Sequence, residues 1–433
     1  MTASLDDVSA AREIEDLSIS ISGIKPEMSF IVAVSLALAI LPPTEGRTKV
    51  LLVSMDGFRH DYLNKTETPN FDSLRSGGVS MVYMDNSFVT NTFPCHYTMA
   101  TGLFPESHGI IGNQMYDPDL HATFNMSSTE PFWWEGGEPI WITARKAGLK
   151  SGVFSWPGGD VEIFNLRPTE WRPFSDSTTF ENRVSTVVSW MSEKDFDLGL
   201  LHFPEPDLAG HYFGPDSEEI ISAIQKMDTL LGLLIDELNK AGLKDKIDLI
   251  VTSDHGMTKV DLFNQVIDLS QYVNETLLQR VADEEAVANL LPQPDLQVML
   301  KEDIPERYHI KNNRRVMPVV AIAEEGWTIT NNLTLLQQSP MKGSHGYDNG
   351  ILNMKPIFLA NGPSFKSGAI VPPIQSVDLY TLVCHILKIK PMPNNGSLER
   401  ILPLLRNSSS MMNWNIVTVL LGTFVLLVFS KIV

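Results

Sequence analysis

Three short apolar runs, each followed within a few residues by an aspartate, most constrain the fold of this chain. They occupy residues 49–55, 198–203 and 247–252, and a fourth apolar run lies at 356–360. Short continuous apolar runs are typical of strands that are buried on both faces of a parallel sheet. A helical pattern of apolar residues lies between them at 219–241. Strands that alternate with helices predict an α/β sandwich around a mostly parallel sheet.

The composition predicts one globular domain over residues 46–405. This part of the chain contains no repeat and no low-complexity linker, and the hydrophobic content of 43% is too high for a disordered protein. The formal net charge of -19 argues against nucleic-acid binding, which depends on a basic stripe. An acidic protein can still bind a phosphate group where metal ions supply positive charge locally.

Apolar segments near both ends predict a membrane-anchored protein. Residues 28–45 have the pattern of a signal peptide, whereas residues 1–27 form an acidic leader, which makes Met28 an alternative start of translation. Residues 412–430 are uncharged and long enough for a transmembrane helix, and Lys431 after them favours a cell-membrane, single-pass type I orientation. A glycolipid-anchor signal is the alternative, although the polar spacer before the apolar tail is short.

An extracellular domain agrees with the glycosylation sequons and the few cysteines. Asn-x-Ser/Thr sequons occur at Asn64, Asn125, Asn274, Asn332, Asn395 and Asn407. Cys95 and Cys384 do not form a disulfide framework, so the fold must depend on its hydrophobic core.

Acidic and histidine-containing motifs follow the predicted strands. They supply Asp56, Asp207, His211, Asp254 and His255, and a glycine-containing loop adds His345. Ligands bind beyond the carboxyl ends of the strands in α/β sheets, so we expect these side chains to converge. Together with a hydroxyl nucleophile they are the inventory of a two-metal phosphoryl-transfer site.

Each motif alone has a simpler interpretation. Asp56 could cap a helix that begins at Phe58, and Asp254 could cap another helix beside a surface histidine. The Asp207 segment could be a turn, and His345 could be a solvated loop residue. The joint occurrence of the motifs at strand ends favours a site.

Thr92 and Asn113 are candidates for the chemistry itself. Thr92 precedes Phe93-Pro94, a sequence typical of a helix start, and would most simply be the N-cap. The same position would direct its hydroxyl toward the strand ends, where helix N–H groups favour phosphate and a metal can activate the hydroxyl as a nucleophile. Asn113 is a candidate donor to the phosphate oxygen that gains charge, and a turn residue is its alternative.

Four motifs carry a resemblance to a known family. They are Thr92-Phe93-Pro94-x-His96-Tyr97, residues 101–110, residues 253–257 and residues 345–349. In these motifs the chain resembles the ectonucleotide pyrophosphatase/phosphodiesterase family of the alkaline phosphatase superfamily. The resemblance covers residues 48–400 and is to the short, single-pass members that hydrolyse diadenosine triphosphate or related pyrophosphates. It implies an alkaline phosphatase-like three-layer sandwich with one catalytic domain.

The resemblance also implies roles for the motif residues. Two Zn²⁺ ions would be bound, one by Asp207, His211 and His345, the other by Asp56, Thr92, Asp254 and His255. Thr92 would attack phosphorus to give a covalent nucleotidyl-threonine, which water would then hydrolyse. Asn113 would hold the transition-state oxygen.

The implied substrate is an extracellular nucleotide or dinucleoside polyphosphate. Phe93 and Phe174 match the aromatic residues that sandwich the nucleobase in the family, and Trp156 and Asp160 match another pocket motif. Stacking suits every base, so the substrate preference would come from base edges and the leaving group.

The chain departs from the family pattern beside these motifs. Many members carry Lys and Asn where this chain has Asn91 and Cys95, and Tyr and Glu where it has His202 and Pro204. None of these four is an implied metal ligand, so they bear on the leaving-group preference and the rate.

Two alternatives stay open at this point. The first is a lipid or choline-headgroup phosphodiesterase on the same scaffold, because aromatic side chains also hold quaternary ammonium groups. The second is a weakly catalytic adhesion or receptor ectodomain. The sequence makes no prediction of the oligomeric state.

Overall fold

The computed structural model describes residues 48–272 and 295–406 of the chain. The predicted leader (1–27), signal peptide (28–45) and transmembrane helix (412–430) lie outside these ranges. Within them, no helix has the length and apolar character needed to cross a membrane.

The secondary structure alternates between strands and helices, as the sequence predicts. The strands are β1 (Lys49–Met55), β2 (Val79–Ser80), β3 (Met115–Asp117), β4 (Ala122–Phe124), β5 (Ser151–Phe154), β6 (Glu170–Arg172), β7 (Leu198–Phe203), β8 (Ile247–Thr252), β9 (Thr258–Lys259), β10 (Val266–Asp268), β11 (Leu296–Leu300), β12 (Val319–Ala323), β13 (Thr328–Thr330), β14 (Gly343–Ser344), β15 (Phe358–Asn361) and β16 (Ala369–Ile370). The helices are α1 (Pro69–Gly77), α2 (Thr92–Thr101), α3 (Pro105–His108), α4 (Pro131–Trp134), α5 (Ile140–Lys146), α6 (Phe180–Ser192), α7 (Asp207–Phe213), α8 (Glu218–Lys240), α9 (Leu333–Leu336), α10 (Asp378–Leu387) and α11 (Leu398–Ile401). Short 3-10 helices occur at Tyr62–Asn64, Leu269–Gln271, Lys301–Asp303, Glu306–Tyr308, Leu352–Met354 and Leu402–Leu404.

The central sheet has eight strands in the order β16-β2-β15-β8-β1-β7-β5-β6. β15 runs antiparallel to both of its neighbours, whereas every other pair in this sheet is parallel. The prediction of a mostly parallel sheet is therefore confirmed. The three strands that carry the aspartate motifs, β8, β1 and β7, are adjacent, which brings their carboxyl ends to one edge.

Helices cover both faces of the sheet and give it three layers. Along β1, Val50 and Leu52 belong to one buried cluster, while Leu51 and Val53 belong to another. Successive side chains of a strand point to opposite faces, so the two clusters are the two sides of the sheet. The first cluster contains residues of α2, α5 and α10, and the second contains residues of α1, α6 and α8. The predicted sandwich with one domain agrees with this arrangement.

The longest helix illustrates why the sequence pattern is reliable here. α8 begins after Ser217, whose hydroxyl accepts a hydrogen bond from the Ile220 N–H, and Lys240 ends it near the negative end of the helix dipole. Its apolar residues, including Leu231, are buried against the sheet, and each fully buried side chain of this size contributes roughly 1.5–3 kcal/mol. The helix lies one residue before the predicted range 219–241.

The strand bounds agree with the predictions at 49–55, 198–203 and 247–252, and differ in the fourth run. There the strand begins at Phe358 rather than at Pro356, which forms only an isolated bridge with Arg59. Proline has no N–H to donate to a sheet ladder, which explains the later start.

Candidate active site

The carboxyl ends of β1, β7 and β8 place three aspartates together. Asp56 follows β1 directly, Asp254 lies two residues beyond β8, and Asp207 begins α7 after β7. All three side chains are buried. No helix begins at Phe58, so the capping alternative for Asp56 is wrong, and the buried His255 is not the surface histidine of the simpler interpretation.

Asp207, His211 and His345 form the first candidate metal group, with one ligand atom of each within 4.8 Å of the others. Asp207 and His211 are four residues apart on α7 and face the same side. The His211 Nε2 atom lies 3.3 Å from Asp207 Oδ2 and 3.1 Å from His345 Nε2. His345 reaches the group because β14, which precedes it, pairs with β9 just beyond the β8 exit.

The ring orientation of these histidines suits metal binding. His211 Nδ1 donates to the Gly343 carbonyl at 2.9 Å, and His345 Nδ1 donates to the Thr90 carbonyl at 2.8 Å. Each Nδ1–H is held by a backbone acceptor, so each Nε2 keeps its lone pair for an ion.

Asp56, Asp254 and His255 surround the second candidate position. His255 Nε2 lies 3.1 Å from Asp254 Oδ2 and 3.5 Å from Asp56 Oδ1, and its Nδ1 donates to the Gly256 carbonyl. One ligand atom of each of Asp56, Asp207 and His255 also lies within 4.8 Å of the others, so the two candidate metal positions are adjacent.

Unpaired carboxylate oxygens show that the two positions fit divalent ions. Asp56 Oδ1, Asp207 Oδ1 and Asp254 Oδ2 are buried without a hydrogen-bond partner in the described residues. A buried, unpaired carboxylate is costly unless a cation offsets it. These three oxygens belong to predicted ligands, and carboxylate with imidazole is a donor set that several divalent metals accept.

The electrostatics of the protein alone point the same way. Burial raises the pKa of Asp56 well above its usual range, and the charges of Asp254 and Asp207 raise it further. Burial, together with His255, lowers the pKa of His345 to about 3, which keeps that imidazole neutral. Burial also opposes ionisation of Asp207 and Asp254, but neighbouring histidines outweigh it and lower the pKa of both, so Asp56 is the carboxylate whose ionisation depends on added positive charge.

Thr92 lies beside the second position, with its Oγ1 3.4 Å from His255 Nε2. The expectation that Thr92 is an N-cap is wrong: α2 begins at Thr92, and Asn91 occupies the cap position. The Thr92 hydroxyl is therefore not engaged with the helix N–H groups and faces the ligand cluster.

Asn113 lies next to the nucleophile candidate. Its Oδ1 accepts the Phe93 N–H at 2.9 Å, which fixes the amide so that the other end, Nδ2, is available as a donor. Asn113 lines the same cavity as Thr92, Asp56 and His345. This is the position required of a donor to a phosphate oxygen.

The cavity beside Thr92 has a volume of about 640 Å³. The structure brings the predicted substrate-binding residues together in its wall: Phe93, Asn113, Trp156, Asp160 and Phe174. Trp156 is buried and donates from Nε1 to the His96 carbonyl, whereas Phe174 is half exposed at the rim. Apolar lining with a few polar groups is typical of ligand cavities.

Sequence reasoning assigned no role to His96 and His202, which contact the site from behind. His202 Nε2 donates to Asp56 Oδ2 at 2.9 Å. His96 is held by the Thr92 carbonyl at 2.8 Å and by the Ser54 hydroxyl at 2.8 Å, so both of its ring nitrogens are engaged. His96 could have been found from its four-residue spacing to Thr92, which places both on one face of a helix. His202 could have been found because it departs from the family pattern.

The sequon residues Asn64, Asn125, Asn332 and Asn395 are exposed, as glycosylation requires. Asn274 and Asn407 lie outside the described ranges. The structure thus permits modification at four of the predicted positions.

Comparison with known proteins identifies relatives that match most of the chain. A profile of type I phosphodiesterase/nucleotide pyrophosphatase matches residues 50–297 and 291–348. Human ectonucleotide pyrophosphatase/phosphodiesterase family member 5 is 41% identical over 400 residues, covering 88% of this chain and 83% of that protein. A bis(5'-adenosyl)-triphosphatase of Xenopus laevis is 38% identical over 402 residues, covering 87% of each protein. Mouse family member 7 is 36% identical over 417 residues, covering 88% of this chain and 93% of that protein.

A solved structure agrees with these relatives. Murine ectonucleotide pyrophosphatase/phosphodiesterase 5, as an inactive threonine-to-alanine variant in complex with AMP, matches with a TM-score of 0.80 and 42% identity. The match covers 83% of this chain and 100% of that chain. The fold, the site and the relatives lead to one conclusion: the chain belongs to the type I phosphodiesterase/nucleotide pyrophosphatase family of enzymes.

Proposed function

We propose that this chain is a cell-surface, two-zinc hydrolase that cleaves pyrophosphate or phosphodiester bonds of extracellular nucleotides. A dinucleoside polyphosphate such as diadenosine triphosphate, cleaved to AMP and ADP, is the substrate class that we favour. The observation that carries the proposal is the free Thr92 hydroxyl beside three buried carboxylates with unpaired oxygens, in a cavity with aromatic walls. The names of the Xenopus relative and of the AMP-bound murine structure support the substrate class.

The first step is attack by Thr92 on the phosphorus of one adenylyl group. The Thr92 Oγ–P bond forms, the bond from that phosphorus to the bridging oxygen breaks, and ADP leaves with the bridging oxygen. Phe93 and Phe174 hold the base of the retained nucleotide, which places the phosphorus near Thr92. The free Nδ2 of Asn113 donates to the phosphate oxygen that gains charge.

Two zinc ions at the ligand groups would supply positive charge that lowers the pKa of the Thr92 hydroxyl and neutralises the phosphate. Asp207, His211 and His345 would hold one ion. Asp56, Thr92, Asp254 and His255 would hold the other. In the second step water breaks the Thr92–AMP ester, and the threonine hydroxyl is regenerated with release of AMP.

The test is to incubate the purified full-length chain with diadenosine triphosphate and to resolve the products. We expect AMP and ADP, with loss of turnover on chelation and recovery when zinc is restored. Thr92→Ala is expected to lower turnover at least 1,000-fold with the zinc content unchanged, because the nucleophile is lost while the other ligands remain.

Thr92→Ser is the matched control, because it keeps a hydroxyl at the same place and should retain measurable turnover. Undiminished turnover by Thr92→Ala would refute the nucleophile. A wild-type protein that is zinc-loaded yet cleaves choline esters in preference to nucleotides would replace the substrate class with the choline-headgroup alternative.

A further inference from the structure

Thr92 and His211, a residue of helix α7, lie at opposite ends of a row of three imidazoles, and Asp207 at the start of α7 lies alongside the row. Thr92 Oγ1 is 3.4 Å from His255 Nε2. The His255 ring stacks on His345, with 3.6 Å between the ring centroids. His345 Nε2 is in turn 3.1 Å from Nε2 of His211, which belongs to α7.

The row of imidazoles indicates from which side the nucleophile attacks the phosphorus and on which side the leaving group departs. Attacking and leaving oxygens stand roughly in line on opposite sides of the phosphorus. If Thr92 attacks from one end of the row, a phosphoryl group held over the imidazoles presents its leaving group to the other end. The leaving group therefore departs past the His211 end of α7.

α7 exposes three large apolar side chains, of which Phe213 (45% exposed) ends the helix and the other two lie side by side. Leu208 is 42% exposed and lines the same cavity as Thr92, and Tyr212 is 51% exposed. The two residues are four apart, so they are neighbours on the helix surface. Asp207 and His211, the ligand candidates, each adjoin one of them in sequence.

We propose that Leu208 and Tyr212 form a subsite for the leaving group, and that its ligand is the second nucleobase of a dinucleoside polyphosphate. The proposal rests on the proposed function and deepens it, since it assigns each half of the substrate to a different wall of the cavity. The half nearer Thr92 lies among Phe93, Trp156 and Phe174, and the departing half stacks on α7.

A nucleobase fits this pair better than an acyl chain does. Both side chains are about half exposed, which suits a flat base that stacks with one face and keeps the other in water. An acyl chain gains free energy by burial along its whole length, which two half-exposed side chains do not supply. The base must also leave again with the product, which an open surface permits.

The test compares two substrates that differ in the leaving group. Diadenosine triphosphate releases ADP, which carries the second base, whereas ATP releases pyrophosphate, which carries none. For the full-length chain we expect Tyr212→Ala to lower the ratio of kcat/KM for diadenosine triphosphate over ATP about tenfold, and Leu208→Ala to lower it by a smaller factor. Tyr212→Phe keeps the ring and should keep the ratio.

Phe263→Ala is the matched control, because Phe263 is an exposed aromatic residue (71%) that does not line the cavity. An unchanged ratio in Tyr212→Ala, with both substrates cleaved by the wild type, would overturn the subsite and leave the proposed function intact. A wild type that cleaves neither substrate would overturn both. A selective loss of lysophospholipid hydrolysis in Tyr212→Ala would assign the surface to an acyl chain instead.

Discussion

Two regions of the domain bury carboxylates and neutralise them in opposite ways. Asp117, at the end of β3, is fully buried and accepts hydrogen bonds from Arg314 and Arg315, with Nε distances of 3.0 and 2.9 Å. Burial would raise its pKa, but these hydrogen bonds outweigh burial and the pKa falls far below its usual range. The backbone N–H groups of Asp119 and Leu120 complete its shell.

The strand-end carboxylates form ion pairs only with histidines among the described residues. Asp254 Oδ1 also accepts hydrogen bonds from the Gly57 N–H and the Ser253 hydroxyl, but Asp56, Asp207 and Asp254 each keep one buried oxygen without a hydrogen bond. The Asp117 region supplies its own cations, whereas the active site leaves positive charge to be bound from solution. A cluster of buried acids whose oxygens lack partners marks the binding site here, whereas an acid paired with two arginines belongs to the scaffold.

The largest effect should come from removing the internal cation. Arg315→Met leaves Asp117 short of a partner and frees the carbonyls of Gly109 and Trp133, which Arg315 Nη1 contacts. We expect a loss of about 3 kcal/mol in the free energy of unfolding, measured by denaturant titration.

Arg314→Met is the matched control, because the Arg314 side chain is 50% exposed and its removal should cost about 1 kcal/mol or less. Equal losses in the two variants would contradict the view that the buried cation stabilises this region.

An intermediate effect, on zinc affinity, is expected from changing His202, which contacts the predicted ligand Asp56. His202 donates to Asp56 Oδ2, which leaves Oδ1 as the oxygen that can face an ion. His202→Phe removes the donor while keeping an aromatic ring, and should weaken zinc binding about 10- to 100-fold in a competitive chelator titration.

His202→Gln can still donate an N–H to Asp56 and should recover part of the affinity. If His202→Phe binds zinc as tightly as the wild type, His202 does not position Asp56. The readout is metal affinity, so it does not depend on turnover.

The smallest effect concerns a third kind of buried acid, Asp248 in β8, which lies outside the cluster of strand-end aspartates and is influenced by Arg406 through its charge. Ser364 N–H donates to its Oδ1, and burial raises the pKa of Asp248 to about 6. The folded pKa lies above the unfolded value of about 3.9, so stability falls as the pH rises between those values. Asp248→Asn should gain on the order of 1–2 kcal/mol over the wild type between pH 4 and pH 7.5.

The exposed Asp245→Asn is the control and should show a much smaller change over the same pH range. A constant stability difference between Asp248→Asn and the wild type at all pH values would show that Asp248 is not forced to ionise in the folded state.

The sequence predicts the fold well because its strongest signals are local. The bounds of β1, β7 and β8 follow from continuous apolar runs, and α8 follows from helical spacing. The convergence of Asp56, Asp207 and Asp254 follows from the rule that parallel strands end at one edge.

The features that the sequence does not predict depend on distant partners. His345 is predicted as a ligand, but it reaches the site through the pairing of β14 with β9, two-residue strands that carry no sequence signal of their own. The contact of His202 with Asp56 depends on the register of β7 against β1, which pairs Ser54 with His202. The anchoring of His96 by Ser54 depends on how helix α2 packs against the end of β1.

The place of β1 in the sheet has a consequence for biosynthesis. β1 begins at Lys49, but its two neighbours begin at Leu198 and Ile247. About 150 residues must follow before the first partner is made, which takes roughly 10–30 s at ordinary rates of synthesis. During that time an apolar strand emerges without the two strands that will bury its edges, so this chain should depend on chaperones early in translation rather than after its release.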